Sequence, residues 1–486
     1  MGESRRAVGG TLDPTMDRSV PRSRALSPAL QWLAVIVLAG VFVTWLFAPL
    51  RTVITPRIPG ADGTPVEAAV AKPVNVFLAG TLAAGPGKPS DLPGRWPRFR
   101  GPNLDGISTE TVPLARAWPN GRPRELWSIG VGEGYAGPVI DKGRIYLMDY
   151  DRGLQRDALR CLSLADGAEI WRYSYPMVVK RNHGMTRTVP ALAGGLVVAM
   201  GPKCHVVGVD AEAGTFRWGL DLVADFGTTV PEWYTGQCPL VDGDIVVLAP
   251  GGRDALLMGV DLASGAVKWR TPNPNGWRMT HSSVVPMEFR GARYFLYCAS
   301  RGVVAVSAKD GAIAWETTAW KINAAMVPTP VLLGEGRVFL TGGYGAGCML
   351  LQFGEDAGKL SAKEVFRQKA DVFGATQHSP IWSGQHLYGI RADGRLVCLS
   401  AEGKIVWVSG PETNFGDGPL MVADGLILAM DDSAKLTAAE LTPAGYKPIA
   451  SAQLFEGTDA WAPFGLASGR LLARDLTRMV CLQLAK

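Results

Sequence analysis

Histidine, clustered charge and long hydrophobic runs are what this chain of 486 residues has least of. The five histidines, His183, His205, His281, His378 and His386, form no zinc-type spacing with one another or with cysteine, so the sequence offers no metal motif. Net charge is only +5, and the lysines and arginines are scattered, which argues against the clustered basic face of a nucleic-acid binder. Helical periodicity is also missing after the first 50 residues, where apolar residues tend to alternate with period two. Glycine is plentiful, at 59 residues, and GEGYAG (132–137) matches a dinucleotide-binding pattern by letter. A strand beginning Pro138-Val139-Ile140 follows it, where a phosphate site needs a helix N-terminus, so the match is attributed to chance.

What the chain does have is a repeat. Five times an apolar run ends in a turn glycine with a tryptophan four residues later: CLSLADGAEIWR (161–172), VGVDAEAGTFRW (207–218), MGVDLASGAVKWR (258–270), VAVSAKDGAIAWE (304–316) and VCLSAEGKIVWV (397–408). Extending the register adds Trp127, Phe366 and Ile449, and the successive intervals are 44, 47, 51, 46, 51, 41 and 42 residues. That period suits a four-stranded propeller blade and is too long for leucine-rich or tetratricopeptide units.

A second landmark lies at the other end of each unit, where a small residue, usually with a proline, starts an apolar strand that runs into a tight turn. The starts are at Gly137, Val189, Cys238, Ser282, Thr329, Ser379, Gly418 and Ala462, which predicts eight blades. Proline is tolerated there because the first residue of a strand sacrifices no ladder hydrogen bond. MVCLQL (479–484) has no glycine-to-tryptophan strand after it, and Trp127 has nothing before it, so the N-terminal strand is expected to complete the last blade and remove the open edges.

Residues 29–50 (ALQWLAVIVLAGVFVTWLFAPL) form the one uncharged run long enough for a membrane helix, which needs about 20 apolar residues. A cleaved signal peptide is the alternative, but 28 residues precede the run and it exceeds the usual signal core. Arg5, Arg6, Arg18, Arg22 and Arg24 before it, against Arg51 and Arg57 after it, orient residues 1–28 to the cytoplasm and the repeats to the far side, as expected of a bacterial inner-membrane protein with a periplasmic propeller. Residues 51–94, rich in Ala, Gly and Pro, read as a flexible linker, and residues 95–486 as the ring. Of the seven cysteines, Cys161, Cys398 and Cys481 share one repeat position that Gly208, Gly259 and Ala305 fill elsewhere, so they read as small packing residues, with a disulfide network as the alternative.

The glycine-to-tryptophan unit resembles the pyrroloquinoline quinone (PQQ) type repeat of quinoprotein alcohol dehydrogenases and of the lipoprotein scaffold BamB. WPRFRGPNLDGIS (96–108) resembles a segment found ahead of the ring in bacterial PQQ-like repeat proteins, and is expected to dock on the ring through Trp96 and Phe99. The resemblance implies an all-β, eight-bladed β-propeller preceded by one transmembrane helix, with tryptophans that cement neighbouring blades. Catalytic members carry an adjacent cysteine pair over the quinone, calcium ligands of Glu, Asn and Asp type, and a catalytic Asp. This chain has no such cysteine pair and no ligand set that transfers position by position, so no catalytic or metal residue is assigned and PQQ is left without motif support.

The loops that lead into the eight inner strands are richer in aromatic and hydrogen-bonding residues than the other turns, and in a propeller such loops converge on one channel mouth. Tyr135, Arg187, Gln237, His281, Gln377, His378, Asp417 and Trp461 are the candidate ligand-binding residues there; the competing reading is polar groups that satisfy one another around a water-filled channel. The leading expectation is an anchored, monomeric binding or assembly scaffold with an envelope protein or small ligand at the mouth. A PQQ-dependent dehydrogenase is the second, and a carbohydrate binder using Trp233, Tyr234, Trp277 and Trp461 the third.

Overall fold

A computed structural model describes residues 28–47, 75–322, 324–457 and 459–486. Two units are separable, residues 1–72 and 73–486. The described part of the first is one helix, Pro28–Phe47, of 20 residues with no acidic residue in its first turn and no basic residue in its last. Several of its side chains, and residues 1–27 and 48–74 of the expected cytoplasmic segment and linker, lie outside the described residues. Among the described residues no helix is long and apolar enough to cross a membrane.

The second unit is an eight-bladed β-propeller among the described residues, and every predicted inner strand is present. Blade 1 is built from Val139–Asp141, Arg144–Asp151, Arg156–Ser163 and Glu169–Pro176. Blades 2 to 7 follow as antiparallel four-stranded sheets over residues 191–221, 240–270, 285–317, 331–368, 381–408 and 420–453. Blade 8 takes three strands from residues 465–483 and its outer strand, Arg124–Gly130, from the N-terminal side, with Trp127 paired to Cys481. The ring therefore closes by mixing the two ends of the chain, as the unmatched strands predict.

The repeat's residues explain one another. Each tryptophan faces a small residue across a bulge in the third and fourth strands: Trp171 opposite Cys161, Trp218 opposite Gly208, Trp269 opposite Gly259, Trp315 opposite Ala305 and Trp407 opposite Cys398. A methyl group on Gly208 or Gly259 would lie 2.3 or 2.4 Å from the indole, so the ring itself sets the size limit at this position. The turn glycine serves the preceding blade: Gly167 packs under Trp127, Gly214 under Trp171, Gly265 under Trp218 and Gly311 under Trp269, each with positive φ. Indole N–H groups then cross the blade boundary, Trp218 donating to Leu262 O at 2.8 Å and Trp407 to Thr442 O at 3.0 Å. All seven cysteines are buried free thiols.

The pattern departs from the sequence in three places. The spacing puts Ile449 at the tryptophan position of blade 7, but Ala450 pairs with Ala438 there and Ile449 falls in the bulge, because the turn at Gly445 differs in length. In blade 5 the third and fourth strands run on to Asp356 and begin again at Lys359, a longer hairpin whose turn glycine, Gly358, packs under no tryptophan, and Trp315 instead packs edge-on against Phe353 at 5.0 Å. Residues 75–94, expected as linker, are folded on the ring: Thr81–Ala84 adds a fifth strand to blade 1, and Phe77 buries its ring between blades 1 and 2, against Tyr175 and His205. Only Gly219 could sit under Phe77, since a Cβ there would meet the ring at 2.5 Å.

Residues 96–108 do more than dock. Trp96, 3 % exposed, exchanges two backbone hydrogen bonds with Ile140 of blade 1's inner strand, at 2.8 and 2.9 Å. Pro97 O accepts from Leu192 N of blade 2, and Arg98 donates to Val241 O of blade 3. Arg100 reaches across to Ser379 O and Pro380 O of blade 6, at 2.7 and 2.9 Å, while also holding Leu104 O and Asp105 O. Gly106 and Ser108 pair with Val422 of blade 7. The segment is a strap threaded through one end of the channel, and it satisfies inner-strand edges that would otherwise face the axis.

Candidate functional site

At the opposite end the loops surround a cavity of about 380 Å³, whose wall includes Phe99 of the strap. The channel is thus blocked on the strap side and accessible from the loop side. Five of the eight candidate residues line this cavity: Tyr135, Arg187, His281, Gln377 and Trp461.

Tyr135 and Trp461, from the loops before blades 1 and 8, stack at 5.1 Å with 21° between their planes. The Arg187 guanidinium lies over the Tyr135 ring, 5.5 Å from its centroid. Arg187 donates to the carbonyls of Gly184, Asn182 and His183, at 3.3, 2.8 and 2.9 Å, which fixes the loop ahead of blade 2. Burial lowers its pKa to about 10, opposed only by the neighbouring Tyr135 and Tyr234, and no carboxylate is among its electrostatic partners. His281 sits 6.4 Å from Trp233, ring to ring. Its buried Nδ1 has no hydrogen-bond partner, and burial, with Arg187 adding repulsion, lowers its pKa to about 4. The imidazole is therefore neutral near pH 7.

The other three candidates are structural. Gln237 is fully buried, donating to Ala249 O and Tyr297 OH and accepting from Ala249 N, so it staples blade 3's loop to its own second strand. His378 is buried against the backbone of Asp417 and Gly418, and burial lowers its pKa to about 4. Asp417 turns toward Asp432; burial and then that second carboxylate raise its pKa to about 6. Of the aromatic set, Trp277 is core, 3 % exposed, and Tyr234 spends its hydroxyl on Lys180 O. Trp233 and Trp461 line the cavity.

Two further acids help to build the site, Asp432 from outside the inner-strand loops and Asp459 from the loop that also carries Trp461. Asp432 accepts from the Asp417 backbone and, at 2.6 Å, from the Trp461 indole N–H, and Asp459 lies 3.5 Å from the Tyr135 hydroxyl. Asp432 and the cavity residue Tyr344 belong to turns between second and third strands. Because antiparallel strands alternate in direction, these turns surface on the same face as the loops into the inner strands. The MDDSAK and TGGYGAG turns were the signal for them. A cleft of about 450 Å³ on the flank of blades 8 and 1 is a different kind of place, where Arg160 is already paired with Asp149 and Glu169.

A family model described as outer membrane protein assembly factor BamB matches residues 117–230 and 155–409. Among solved structures, BamB from Moraxella catarrhalis superposes with a TM-score of 0.52 at 16% identity, covering 74% of this chain and 100% of that one. A europium-containing methanol dehydrogenase superposes with a TM-score of 0.57 at 14% identity, over 78% of this chain and 89% of that one. At these identities the likenesses establish the propeller alone. No curated protein matches by sequence.

Proposed function

The chain belongs to the outer membrane protein assembly factor BamB family of PQQ-like propellers, and from that membership we propose that it is a membrane-anchored scaffold that receives a partner or ligand at the loop mouth of its channel. The observation that carries the reading is the asymmetry of the channel: one end is spent on the strap, and the other presents stacked aromatics, a cation without a counter-charge and a histidine nitrogen without a partner. Rigid closure supplies the platform and the mouth supplies recognition. The apolar sequence of residues 28–47, set behind an arginine-bearing N-terminus, supports an anchor with the ring on the periplasmic side.

The dehydrogenase reading asks for a quinone held over a metal by clustered acids and an amide. The residues around this channel do not fit that group: among the described residues no three His, Cys, Asp or Glu side chains converge as a metal-binding group, and no two cysteines are adjacent. Of the acids at the mouth, Asp432 accepts from the Asp417 backbone and the Trp461 indole, and Asp459 lies 3.5 Å from the Tyr135 hydroxyl.

Crosslinking in intact membranes tests the scaffold reading. A discrete protein adduct formed from the mouth should disappear when Arg187 and Trp461 are replaced; an adduct that persists unchanged removes the mouth from the contact surface. The dehydrogenase reading predicts that PQQ with calcium, at about 100 times its dissociation constant, stabilises the protein by about 2.7 kcal/mol, together with dye-linked alcohol oxidation.

A further inference from the structure

Among the described residues of the ring, the three most exposed large apolar side chains stand at one corner. Leu78 is 84 % exposed, Leu154 70 % and Val178 58 %. Leu154 sits in the turn between the second and third strands of blade 1, and Val178 lies just beyond the end of the fourth. Met177 N donates to Gln155 O at 2.9 Å, which brings those two chain segments side by side. From the same turn Arg156 reaches Ala79 O at 2.9 Å and joins Leu78 to them. Leu82 and Phe216, 44 % and 36 % exposed, continue the apolar surface down the flank, where Phe216 stacks on Phe77 at 5.7 Å. The turn and the end of the fourth strand both surface on the loop face, so the corner is part of its outer rim.

This corner is built and not frayed. Asn75 accepts from Phe77 N at 3.1 Å, Leu78 N donates to Asn75 O at 3.0 Å, and the buried Phe77 ring pins the turn between blades 1 and 2. The chain thus fixes one leucine in water and sets another in a hairpin turn, where polar residues are the ordinary choice. A fixed apolar patch that the fold does not cover marks contact with something else. Side chains this exposed project from the surface instead of lining a groove. Projecting apolar groups suit a bilayer, whose headgroup boundary they can enter, better than the pockets of a protein interface.

The charges beside the patch agree with a lipid surface. Lys180 and Lys203 are in no ion pair among the described residues, and Arg152 approaches only Glu133, at 4.0 Å, which Arg181 already holds at 2.6 Å. On the blade 2 side the exposed acid is Asp225, whose carboxylate accepts from Asp221 N. The chain also reaches the ring here. With residues 75–94 folded on blade 1, the linker expected from the sequence shortens from 51–94 to 51–74, and a flexible chain of that length spans about 25–30 Å.

We infer that this corner, Leu78, Leu154 and Val178 with Lys180 and Lys203 beside them, rests in the headgroup region of the bilayer that holds the anchor. The inference rests on the proposed anchoring and adds a second contact to it. The helix keeps the chain at the membrane; the corner decides which part of the ring meets lipid. Shallow apolar contacts are weak alone, but a short tether makes the second binding event intramolecular.

The test uses the full-length protein reconstituted into vesicles of phosphatidylethanolamine and phosphatidylglycerol, with an environment-sensitive fluorophore on Leu154→Cys or, as control, on Val365→Cys of blade 5's outer strand. Val365 is also exposed, and all the native cysteines are buried. Brominated lipid should quench the label about twofold or more at position 154 and leave position 365 unchanged. Adding Leu78→Ser and Val178→Ser should remove most of that quenching without moving the melting temperature, since both side chains are exposed. Equal quenching at the two positions, or none at 154, overturns the inference. A disulfide-linked dimer of the Leu154→Cys variant with an unquenched label would also overturn it, in favour of a second copy of the chain on the patch. Alkaline carbonate separates the two readings: protein that stays in the membrane with position 154 unquenched leaves the anchor standing and sinks the inference alone, whereas release into the supernatant removes both.

Discussion

The two ends of one channel solve opposite problems. At the strap end the inner-strand edges of blades 1, 2, 3, 6 and 7 are occupied by residues 96–108, and Arg100 alone closes four carbonyls. At the loop mouth Arg187 also closes three carbonyls, but its charge, the Nδ1 of His281 and the faces of Trp233 are left over. A left-over polar group makes a site only where it faces open space: His281 lines the cavity, whereas the equally unpartnered Nε of Arg98 in the strap and the ring nitrogens of His378 do not. The same fold element, a closed ring of short strands, yields a sealed floor or a receptive mouth according to whether the chain itself supplies the partners.

This contrast can be broken most forcefully at the floor. Trp96→Ala removes an indole packed over Gly101 and should cost about 3–5 kcal/mol in chemical denaturation. A loss below 1 kcal/mol would mean that the strap is an ornament on a self-sufficient ring. Arg100→Gln strands up to four carbonyls at once and is expected to cost about 3 kcal/mol by the same measurement.

Acid gives the next largest effect, and it belongs to the mouth. His281 and His378 have folded pKa values of about 4, below the ordinary 6.5, so they are neutral in the folded protein while the unfolded chain takes up protons first. Their contribution is present above pH 6.5 and is lost as pH falls toward 4, with a slope of at most about 1.4 kcal/mol per pH unit for each. Asp157, fully buried against Tyr175 and raised to about 8, slopes the other way: folding favours its protonated form, and that contribution is lost as pH rises from 3.8 to 8. Unfolding followed from pH 4 to 7 should therefore show a steeper acid limb in wild type than in His378→Asn, and identical limbs would place the buried histidine in the charged state.

At the small end, Tyr344→Ala at the exposed rim and Gln377→Ala in the cavity wall should shift stability by about 0.5 kcal/mol or less. A larger loss would show that the mouth is braced as tightly as the floor.

Much of this was legible along the chain. Eight inner-strand starts and one unmatched strand at each end sufficed for blade count and closure, because hairpin turns and hydrophobic alternation are local signals. The repeated small residue was legible too, although its reason, an indole 2.3 to 2.4 Å from any added methyl, is a cross-strand fact. The register slip from Ile449 to Ala450 was hidden because spacing counts residues while a bulge shifts pairing by one. Residues 75–94 look like linker since Ala, Gly and Pro give no amphipathic pattern, yet four of them complete a sheet through backbone bonds that need no particular side chain.

The candidate site was half legible. Loop position selected Tyr135, Arg187, His281, Gln377 and Trp461, which meet, but also Gln237, His378 and Asp417, whose side chains turn into the wall. Sequence by itself determined the architecture of this protein: strand, turn and packing residue recur at a fixed period, and periodic local chemistry specifies a ring. Tertiary structure alone decided which end of the channel is closed and which loop residues share a cavity. Those outcomes depend on side-chain directions and on contacts between distant positions, such as Arg100 with Pro380, 280 residues apart, and Tyr135 with Asp459, 324 apart, that leave no periodic trace in the chain.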